Sequence, residues 1–366
     1  MIWGSGAKSN RPIRARTTDL KGKFYTFGQS ISTRNEYEFV SAYSVSKIGM
    51  NEISNFKPDV INVHNWYNML SPALLQEIMQ KFPTILTLHD ERLLTGGCHT
   101  AFECEGIWKE CSNCPANLLA RKKIHLNKSN FNFVPLAQAR YGIVAPSQWL
   151  INRSLRTQIG MHAKFNSVIP NIVPETKINS HEPPKQSQAF RVGFVASNLE
   201  TKFKGLEILS QAISQIRNER KIDREISVTL IGRYKSRDKV LNMFNRKTDI
   251  LLGELSTENL NEALQYLDLV VIPSTWENLP NVIIEAQLAG VAVLATRVGG
   301  IPEIIQHEKT GFLCEPTSHS IAKAIISAYN FGVANVTLEA RRNARTRHDP
   351  LLITQKYMRA YQEVSE

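Results

Sequence analysis

The sequence predicts an α/β protein with two parallel sheets, and three observations support this fold class. Short runs rich in Val, Ile and Leu alternate with longer amphipathic stretches, which is typical of buried parallel strands joined by crossover helices. The chain has 366 residues, enough for two domains of ordinary size. A polar stretch at 174–188, with three prolines, interrupts the alternation and indicates a linker. We therefore expect two Rossmann-like domains that face a cleft, with ligands at the carboxyl ends of the strands.

The strands and helices follow from this alternation of apolar runs and amphipathic stretches. The predicted strands are Asp59–Val63, Thr84–Leu88, Gly142–Ala145, Ser167–Ile169, Arg191–Ala196, Ser227–Ile231, Asp249–Leu252, Asp268–Ile272 and Val291–Ala295. The predicted helices are Ala73–Gln80, Gly205–Ile216, Glu258–Tyr266, Asn281–Leu288 and Leu351–Val364. Cys314 is placed on a further strand as a small core residue.

The predicted elements divide the chain into four segments. We expect residues 1–173 to form the first domain, 174–188 the linker, 189–348 the second domain and 349–366 a C-terminal helix. Residues 1–57 are expected to be irregular, and within them residues 1–34 show no convincing strand followed by a glycine-rich turn and a helix. Two interpretations follow: the first domain is incomplete because the chain is truncated, or residues 1–35 supply substitute strands, with Lys23–Phe27 as the best candidate. In either case we expect the first sheet to be smaller than the second.

The balance of charge is basic, with 44 Lys and Arg against 33 Asp and Glu and a formal net charge of +11. Such a charge suits nucleic acid, anionic lipid headgroups or phosphorylated ligands. No nucleic-acid-binding motif accompanies the charge, so nucleic acid is not an expected partner. The sequence shows neither a signal-peptide core nor an apolar run of transmembrane length. We predict a cytoplasmic protein and leave open a peripheral contact with the inner face of the membrane.

The segment from Ser274 to Glu285 carries most of the recognisable chemistry. A predicted strand leads into a polar turn that contains Glu277, and Pro280 suits the first residue of a helix. The free amide groups at a helix start bind anions, and Glu285 lies in the second turn of this helix. A carboxylate beside an anion site is repulsive unless it accepts hydrogen bonds from hydroxyl groups, as on a sugar or ribose. The alternative interpretation is a pair of solvated acids.

The residues ENLPNVIIEAQLAGVAVLATRVGGIPEII at 277–305, with EKTGFLCEP at 308–316, closely resemble the donor-binding signature of retaining glycosyltransferase family 4. In that signature two Glu residues are separated by seven others. The resemblance implies a GT-B fold, in which the C-terminal helix crosses back to the first domain. It implies that Glu277 contacts the transferred sugar and Glu285 the nucleotide ribose. The intervening donor-binding positions are Asn278, Leu279, Pro280 and Asn281.

Other positions resemble the same family. Lys204 resembles the Lys that neutralises the donor diphosphate, and Lys202 stands in for an Arg that family members often carry nearby. Leu255 ends a segment similar to the turn whose backbone holds the nucleobase. His89, after a predicted strand, resembles the His that faces the donor sugar. The resemblance therefore makes His89, Lys204 and Glu277 the expected catalytic residues, while the residues alone leave a structural His and a solvated Lys as alternatives.

His64-Asn-Trp66, after the preceding predicted strand, borders the acceptor site in one interpretation and packs in the core in the other.

A reducing compartment disfavours disulfides among four closely spaced cysteines, arranged C-x5-C-x6-C-x2-C. One interpretation is a structural zinc held by Cys98, Cys104, Cys111 and Cys114, with His99 as a reserve ligand, and the other is a loop of packed reduced thiols. This stretch resembles the transferases similar to colanic acid enzymes, which build bacterial exopolysaccharides.

The resemblance implies transfer from a nucleotide-diphosphate sugar to a saccharide acceptor, lipid-linked by analogy with the subgroup, with retention of anomeric configuration. The charge of Lys204 and the helix start near Pro280 would stabilise the departing diphosphate. Because no Asp-x-Asp triplet is present, no cofactor is expected for catalysis. Three alternatives stay open: a non-catalytic or weakly active nucleotide-sugar-binding remnant, a sugar-nucleotide epimerase or phosphorylase on a similar fold, and a nucleic-acid binder.

Overall fold

A computed structural model describes residues 2–3, 49–64, 70, 72–95, 98–109, 139–173, 188–244 and 247–366. The chain forms two compact units. The first extends to Pro170 and includes Leu351–Glu366, and the second runs from Asn171 to Pro350. The predicted linker lies outside the described residues apart from Gln188, and the predicted domain bounds stay a prediction.

The strands and helices alternate along both units. The strands are β1 (Ile2–Trp3), β2 (Val60–His64), β3 (Thr84–Thr87), β4 (Tyr141–Ala145), β5 (Asn166–Val168), β6 (Ala189–Asn198), β7 (Glu225–Arg233), β8 (Ile250–Gly253), β9 (Leu269–Ile272), β10 (Ala292–Thr296) and β11 (Phe312–Cys314). The α-helices are α1 (Met50–Phe56), α2 (Pro72–Lys81), α3 (Gln148–Ser154), α4 (Gln158–Met161), α5 (Leu206–Glu219), α6 (Arg237–Asn242), α7 (Thr257–Gln265), α8 (Asn281–Leu288), α9 (Ser318–Phe331), α10 (Thr337–Arg347) and α11 (Pro350–Ser365). Short 3-10 helices include Lys202–Lys204 and Ile301–Glu303.

The sheet of the first unit has the order β1-β2-β3-β4-β5 in the described part of the chain. Strands β2 to β5 are parallel, while the two-residue β1 pairs antiparallel with β2. Every residue of β3 and β4 is buried, as a strand covered on both faces requires. Helix α11 belongs to this unit and places Ile353, Ala360 and Val364 against Ile85 and Val144.

The sheet of the second unit is parallel throughout, with the order β11-β10-β9-β6-β7-β8. From β6 the order proceeds through β7 and β8 on one side, and through β9 to β11 on the other. The carboxyl ends of β6 and β9 therefore flank a topological switch point, where open α/β sheets leave a crevice for ligands. Two apolar clusters cover the two faces of this sheet, one with α5 and α9 and the other with α8.

The structure confirms the predicted fold class, and each predicted strand is present with its ends displaced by two residues at most. Cys314 is buried on a strand, as predicted. Pro280 caps α8 instead of beginning it, because its extended ψ of 121° keeps it outside the helix. The candidate strand Lys23–Phe27 and most of residues 1–57 lie outside the described residues.

Among the described residues, no single helix has the length and apolar character to cross a membrane, and one bent pair, Ser318–Phe331 with Val333–Ser365, passes that test by length and composition only.

Candidate functional site

Lys204 and Glu277 meet at the switch point of the second sheet. Lys204 ends the 3-10 turn that follows β6, and Glu277 lies on the turn that follows β9. The Nζ atom of Lys204 is 2.5 Å from Oε2 of Glu277, and the two side chains are 24% and 13% exposed. The hydroxyl of Ser274 donates a further hydrogen bond to the same carboxylate oxygen at 3.4 Å. The structure thus brings together two of the three expected catalytic residues as an ion pair.

The backbones that carry this pair are locked against each other. The amide of Thr275 donates to the carbonyl of Phe203 at 2.8 Å, which ties the turn after β9 to the 3-10 turn. Gly205 has φ +80°, and a Cβ there would lie 2.0 Å from the carbonyl oxygen of Pro273. Only glycine permits both this conformation and this approach without strain. Lys204 and Glu277 therefore project from a rigid frame.

A second glycine supports the same turn from β10. Gly299 has φ +56°, and a Cβ there would lie 1.5 Å from the carbonyl oxygen of Glu277. The amide of Gly300 donates to the carbonyl of Asn278 at 2.8 Å. Both glycines belong to the segment 277–305, in which the sequence predicted no role for them. A Gly-Gly pair that follows a predicted strand after three intervening residues is the signal that could have indicated a close backbone approach.

Helix α8 begins at Asn281, directly after the turn that carries Glu277. The amide of Ile283 in its first turn donates to the carbonyl of the cap residue Pro280 at 3.1 Å. The start of a helix carries a partial positive charge. The side-chain amide of Asn171 donates to Oδ1 of Asn281 at 2.9 Å. Burial raises the pKa of Glu285, which is half-buried on this helix. A carboxylate at such a half-buried position accepts a strong hydrogen bond from a ligand hydroxyl once the ligand has displaced water.

The remaining expected donor-binding residues lie along the same edge of the sheet. Lys202 is exposed at the start of the 3-10 turn, while Leu279 is buried beneath the turn after β9. Leu255 follows β8 and is half-buried just before α7. The described contacts do not connect Lys202 or Leu255 to the Lys204–Glu277 pair. Their roles stay predictions.

His89 lies after β3 in the first unit, where it pairs with His64 at the end of β2. The Nδ1 atom of His64 is 2.9 Å from Nε2 of His89, so one imidazole donates a hydrogen bond to the other. Burial, and to a smaller extent the neighbouring His89, lower the pKa of His64 to about 4. Burial also lowers the pKa of His89, although Asp90 opposes that shift. Both rings are therefore neutral near pH 7.

Beside this pair, a second set of neutral polar groups links β2 and β3 to α11. The hydroxyl of Thr87 donates to Oδ1 of Asn62 at 2.8 Å, and Nδ2 of Asn62 donates to the hydroxyl of Tyr361 at 2.9 Å. The ring of Tyr357 lies 6.4 Å from that of His64, measured between centroids. The sequence indicated His64 as a candidate but not its pairing with His89, because no local pattern shows which strands are neighbours. Asn65 and Trp66 lie outside the described residues.

The loop that follows Asp90 is organised by a buried carboxylate. Glu91 is 2% exposed; it forms an ion pair with Arg153, and its Oε2 accepts a hydrogen bond from the amide of Ala101 at 2.7 Å. The guanidinium of Arg153 lies 5.2 Å from the ring centroid of Trp108 and 5.1 Å from that of Trp149. This part of the loop is held by structural contacts.

The cysteines of this loop are only partly described. Cys98 is buried, and Cys104 is half-buried. Cys111 and Cys114 lie outside the described residues, and the described residues contain no group of three or more His, Cys, Asp or Glu residues that could hold a metal ion. The Nε2 atom of His99 lies 3.8 Å from Oδ2 of Asp90. The zinc site stays a prediction.

Comparison with known proteins identifies relatives of this chain. A family model described as glycosyl transferases group 1 matches residues 189–330, which contain Lys204, Glu277 and Glu285. An uncharacterized glycosyltransferase of Methanocaldococcus jannaschii is 32% identical over 292 residues, covering 76% of this chain and 67% of that protein.

Two further comparisons concern a longer protein and a solved structure. The sulfoquinovosyl transferase of Arabidopsis thaliana is 25% identical over 272 residues, and the chain spans about half of that protein, 49% of its length. The crystal structure of Anabaena HepE in complex with UDP and glucose superposes with a TM-score of 0.60 at 20% identity. The superposition covers 85% of this chain and 79% of HepE. This likeness shows that the fold is of the GT-B type.

Proposed function

The chain belongs to the group 1 glycosyltransferases, and from this premise we propose that it transfers a sugar from a nucleotide-diphosphate sugar to a saccharide acceptor. The observation that carries the proposal is the Lys204–Glu277 pair at the switch point of the second sheet, directly before the start of α8. An ammonium and a helix start suit a diphosphate, while a carboxylate suits sugar hydroxyl groups. One edge of the sheet thus offers complementary partners for both parts of such a donor.

The chemistry follows from where charge develops during transfer. As the glycosidic bond to the diphosphate breaks, negative charge grows on the departing phosphate and positive charge on the sugar ring. Lys204 and the amides at the start of α8 stabilise the first charge. Glu277 orients the sugar through its hydroxyl groups, and Glu285 accepts a hydrogen bond from the ribose. His89 acts on the sugar in the role that the family resemblance assigns to it, as a neutral hydrogen-bonding group.

Retention of the anomeric configuration, a lipid-linked acceptor and a role in exopolysaccharide synthesis are the finer parts of the proposal. They are supported by the resemblance of residues 277–305 and of the cysteine-containing loop to retaining enzymes of polysaccharide assembly, and by the net charge of +11, which suits an anionic membrane surface. A structural zinc held by Cys98, Cys104, Cys111 and Cys114 is also proposed. Metal analysis of protein purified without chelator tests it.

Calorimetric titration with nucleoside diphosphates and their sugar conjugates tests the donor site, and UDP is the first choice because HepE was solved with UDP. Glu285→Ala should weaken both ligands by about 10- to 100-fold, since a charged acceptor contributes about 1–3 kcal/mol. The matched control is Glu219→Ala, at the far end of the 14-residue α5, about 20 Å from its start. That control should leave affinity unchanged.

Transfer itself requires a second assay, in which the chain is incubated with donor and lipid-linked or free saccharide acceptors. The product's anomeric configuration, read by NMR, tests retention. A chain that binds oligonucleotides and no nucleotide-diphosphate sugar would contradict the proposal. Donor binding without transfer to any acceptor would instead favour a nucleotide-sugar-binding remnant.

A further inference from the structure

In the ion pair between Lys204 and Glu277, one residue attracts the diphosphate of a donor and the other repels it. A diphosphate that approaches Lys204 also approaches a carboxylate whose Oε2 is 2.5 Å from the ammonium. Like charges at such separations repel, and the partial burial of both side chains limits screening by water. Glu277 therefore competes with the diphosphate for the same cation.

The pair cannot relieve this conflict by moving apart. The Phe203–Thr275 hydrogen bond and the close approach of Gly205 to Pro273 fix the two backbone segments at a set separation. Gly299 packs against the carbonyl of Glu277 from the other side. Only the side-chain torsions remain adjustable, so the carboxylate stays near any phosphate that Lys204 binds.

A sugar on the diphosphate changes the balance. Its hydroxyl groups donate hydrogen bonds to the carboxylate, and a hydrogen bond to a charged acceptor is stronger than one between neutral groups. Glu277 then exchanges part of its interaction with Lys204 for the sugar, and Lys204 becomes available to the phosphates. A bare nucleoside diphosphate offers no such donors at this position.

We propose that Glu277 is a specificity-determining residue that makes the donor site favour the sugar nucleotide over the bare nucleoside diphosphate, by competing for Lys204 whenever no sugar hydroxyl engages it. The proposal rests on the proposed function. The same competition promotes release of the nucleoside diphosphate once the sugar has left. Glu277 thus contributes to both ends of the catalytic cycle.

The test is the affinity of wild type and Glu277→Gln for bare UDP and for a UDP-sugar that wild type binds, by calorimetry on the full chain. Gln removes the negative charge at nearly constant volume. Bare UDP should bind about three- to tenfold more tightly to the variant, because the Gln side chain carries no charge that pairs with Lys204 or repels the diphosphate. The UDP-sugar should bind more weakly, and product inhibition by UDP should become stronger.

The matched control is Asp268→Asn, which removes one charge from the Arg191–Asp268 ion pair immediately before β9. Asp268 is 18% exposed and lies at the opposite end of the strand that leads to Glu277. This control should leave both affinities unchanged. In a Lys204→Met background, Glu277→Gln should tighten bare UDP less than it does in wild type, because no cation remains to be released.

The possible outcomes separate this inference from the proposed function. If wild type binds neither UDP nor any UDP-sugar, and other nucleotides behave likewise, the proposed function fails and the inference with it. If wild type binds both ligands and Glu277→Gln weakens bare UDP or leaves it unchanged, the inference alone is overturned. A variant that melts below wild type is replaced by Glu277→Asp, which shortens the side chain and should shift the two affinities in the same directions.

Discussion

The histidine pair of the first unit lies among side-chain contacts, whereas the Lys204–Glu277 pair of the second unit is positioned by backbone contacts. In the first, His64 and His89 pair at the carboxyl ends of adjacent strands, and Asn62, on the same strand as His64, donates a separate hydrogen bond to Tyr361. In the second, Lys204 and Glu277 meet at a corresponding edge, on turns fastened by glycines and main-chain hydrogen bonds.

The difference follows from charge. Two imidazoles can be buried cheaply because burial lowers their pKa values and leaves them neutral. A carboxylate and an ammonium remain charged, so each needs a close partner and some access to solvent. A long Lys side chain keeps such a partner only if its backbone is fixed. The ionic site therefore depends on close backbone packing, whereas the neutral site depends on which side chains face each other.

The largest effect is expected for Gly299→Ala. A Cβ would lie 1.5 Å from the carbonyl oxygen of Glu277, and the positive φ disfavours any residue but glycine. We expect a loss of about 3 kcal/mol or more in the free energy of unfolding of the second unit. Nucleoside-diphosphate affinity should fall as well, because the turn that carries Glu277 shifts. Denaturant titration and calorimetry measure the two losses.

The matched control for this comparison is Gly290→Ala. Gly290 also has a positive φ, +78°, but a Cβ there meets nothing within 4 Å. Gly290→Ala should lower the free energy of unfolding by only about 1 kcal/mol, because only the unfavourable backbone conformation contributes. Equal losses for the two variants would show that close packing at Gly299 does not support the ionic site.

An intermediate effect is expected from pH in the first unit. The folded pKa of His64 is about 4, against 6.5 for an ordinary His, so the unfolded chain takes up a proton first as pH falls. Stability is therefore full above pH 6.5 and declines between about pH 6.5 and pH 4. The contribution of His64 to that loss should be about 1–3 kcal/mol.

Replacement of His64 by Gln isolates this contribution. Gln keeps a hydrogen bond to His89 and does not titrate, so denaturation at a series of pH values should show a shallower decline for the variant. His162→Gln, at an exposed position, is the control and should keep the wild-type decline. A His64→Gln profile parallel to wild type would mean that the pair is not buried and neutral as the geometry indicates.

The smallest effect is expected for Tyr361→Phe. The change removes the hydroxyl that accepts from Nδ2 of Asn62 and leaves that amide, on a residue only 9% exposed, without its partner. The expected cost is about 1 kcal/mol in the free energy of unfolding. Tyr266→Phe, at a side chain that is 52% exposed, should change stability far less. A Tyr361→Phe variant as stable as wild type would show that the hydrogen bond between Asn62 and Tyr361 does not stabilise the first unit.

Sequence reasoning was strongest where chemistry and local structure coincide. The continuous apolar runs of β4 and β9 predict buried strands because a parallel strand covered on both faces is mostly apolar. The segment from Glu277 to Glu285 was recognisable because a strand end, a polar turn and a helix start follow one another within a few residues. The cap position of Pro280 was off by one residue, since the choice between cap and first helical residue depends on a single ψ angle.

The sequence by itself determined where strands and helices lie, that the chain has two α/β units, and which short segment carries the paired acids. Only the tertiary structure decided that Lys204 meets Glu277 across 73 positions of the chain, and that His64 meets His89. The reason is physical: hydrophobic periodicity records which face of an element is buried, whereas strand order depends on how the crossovers pack. Two side chains become neighbours at a sheet edge only when that order places their strands side by side.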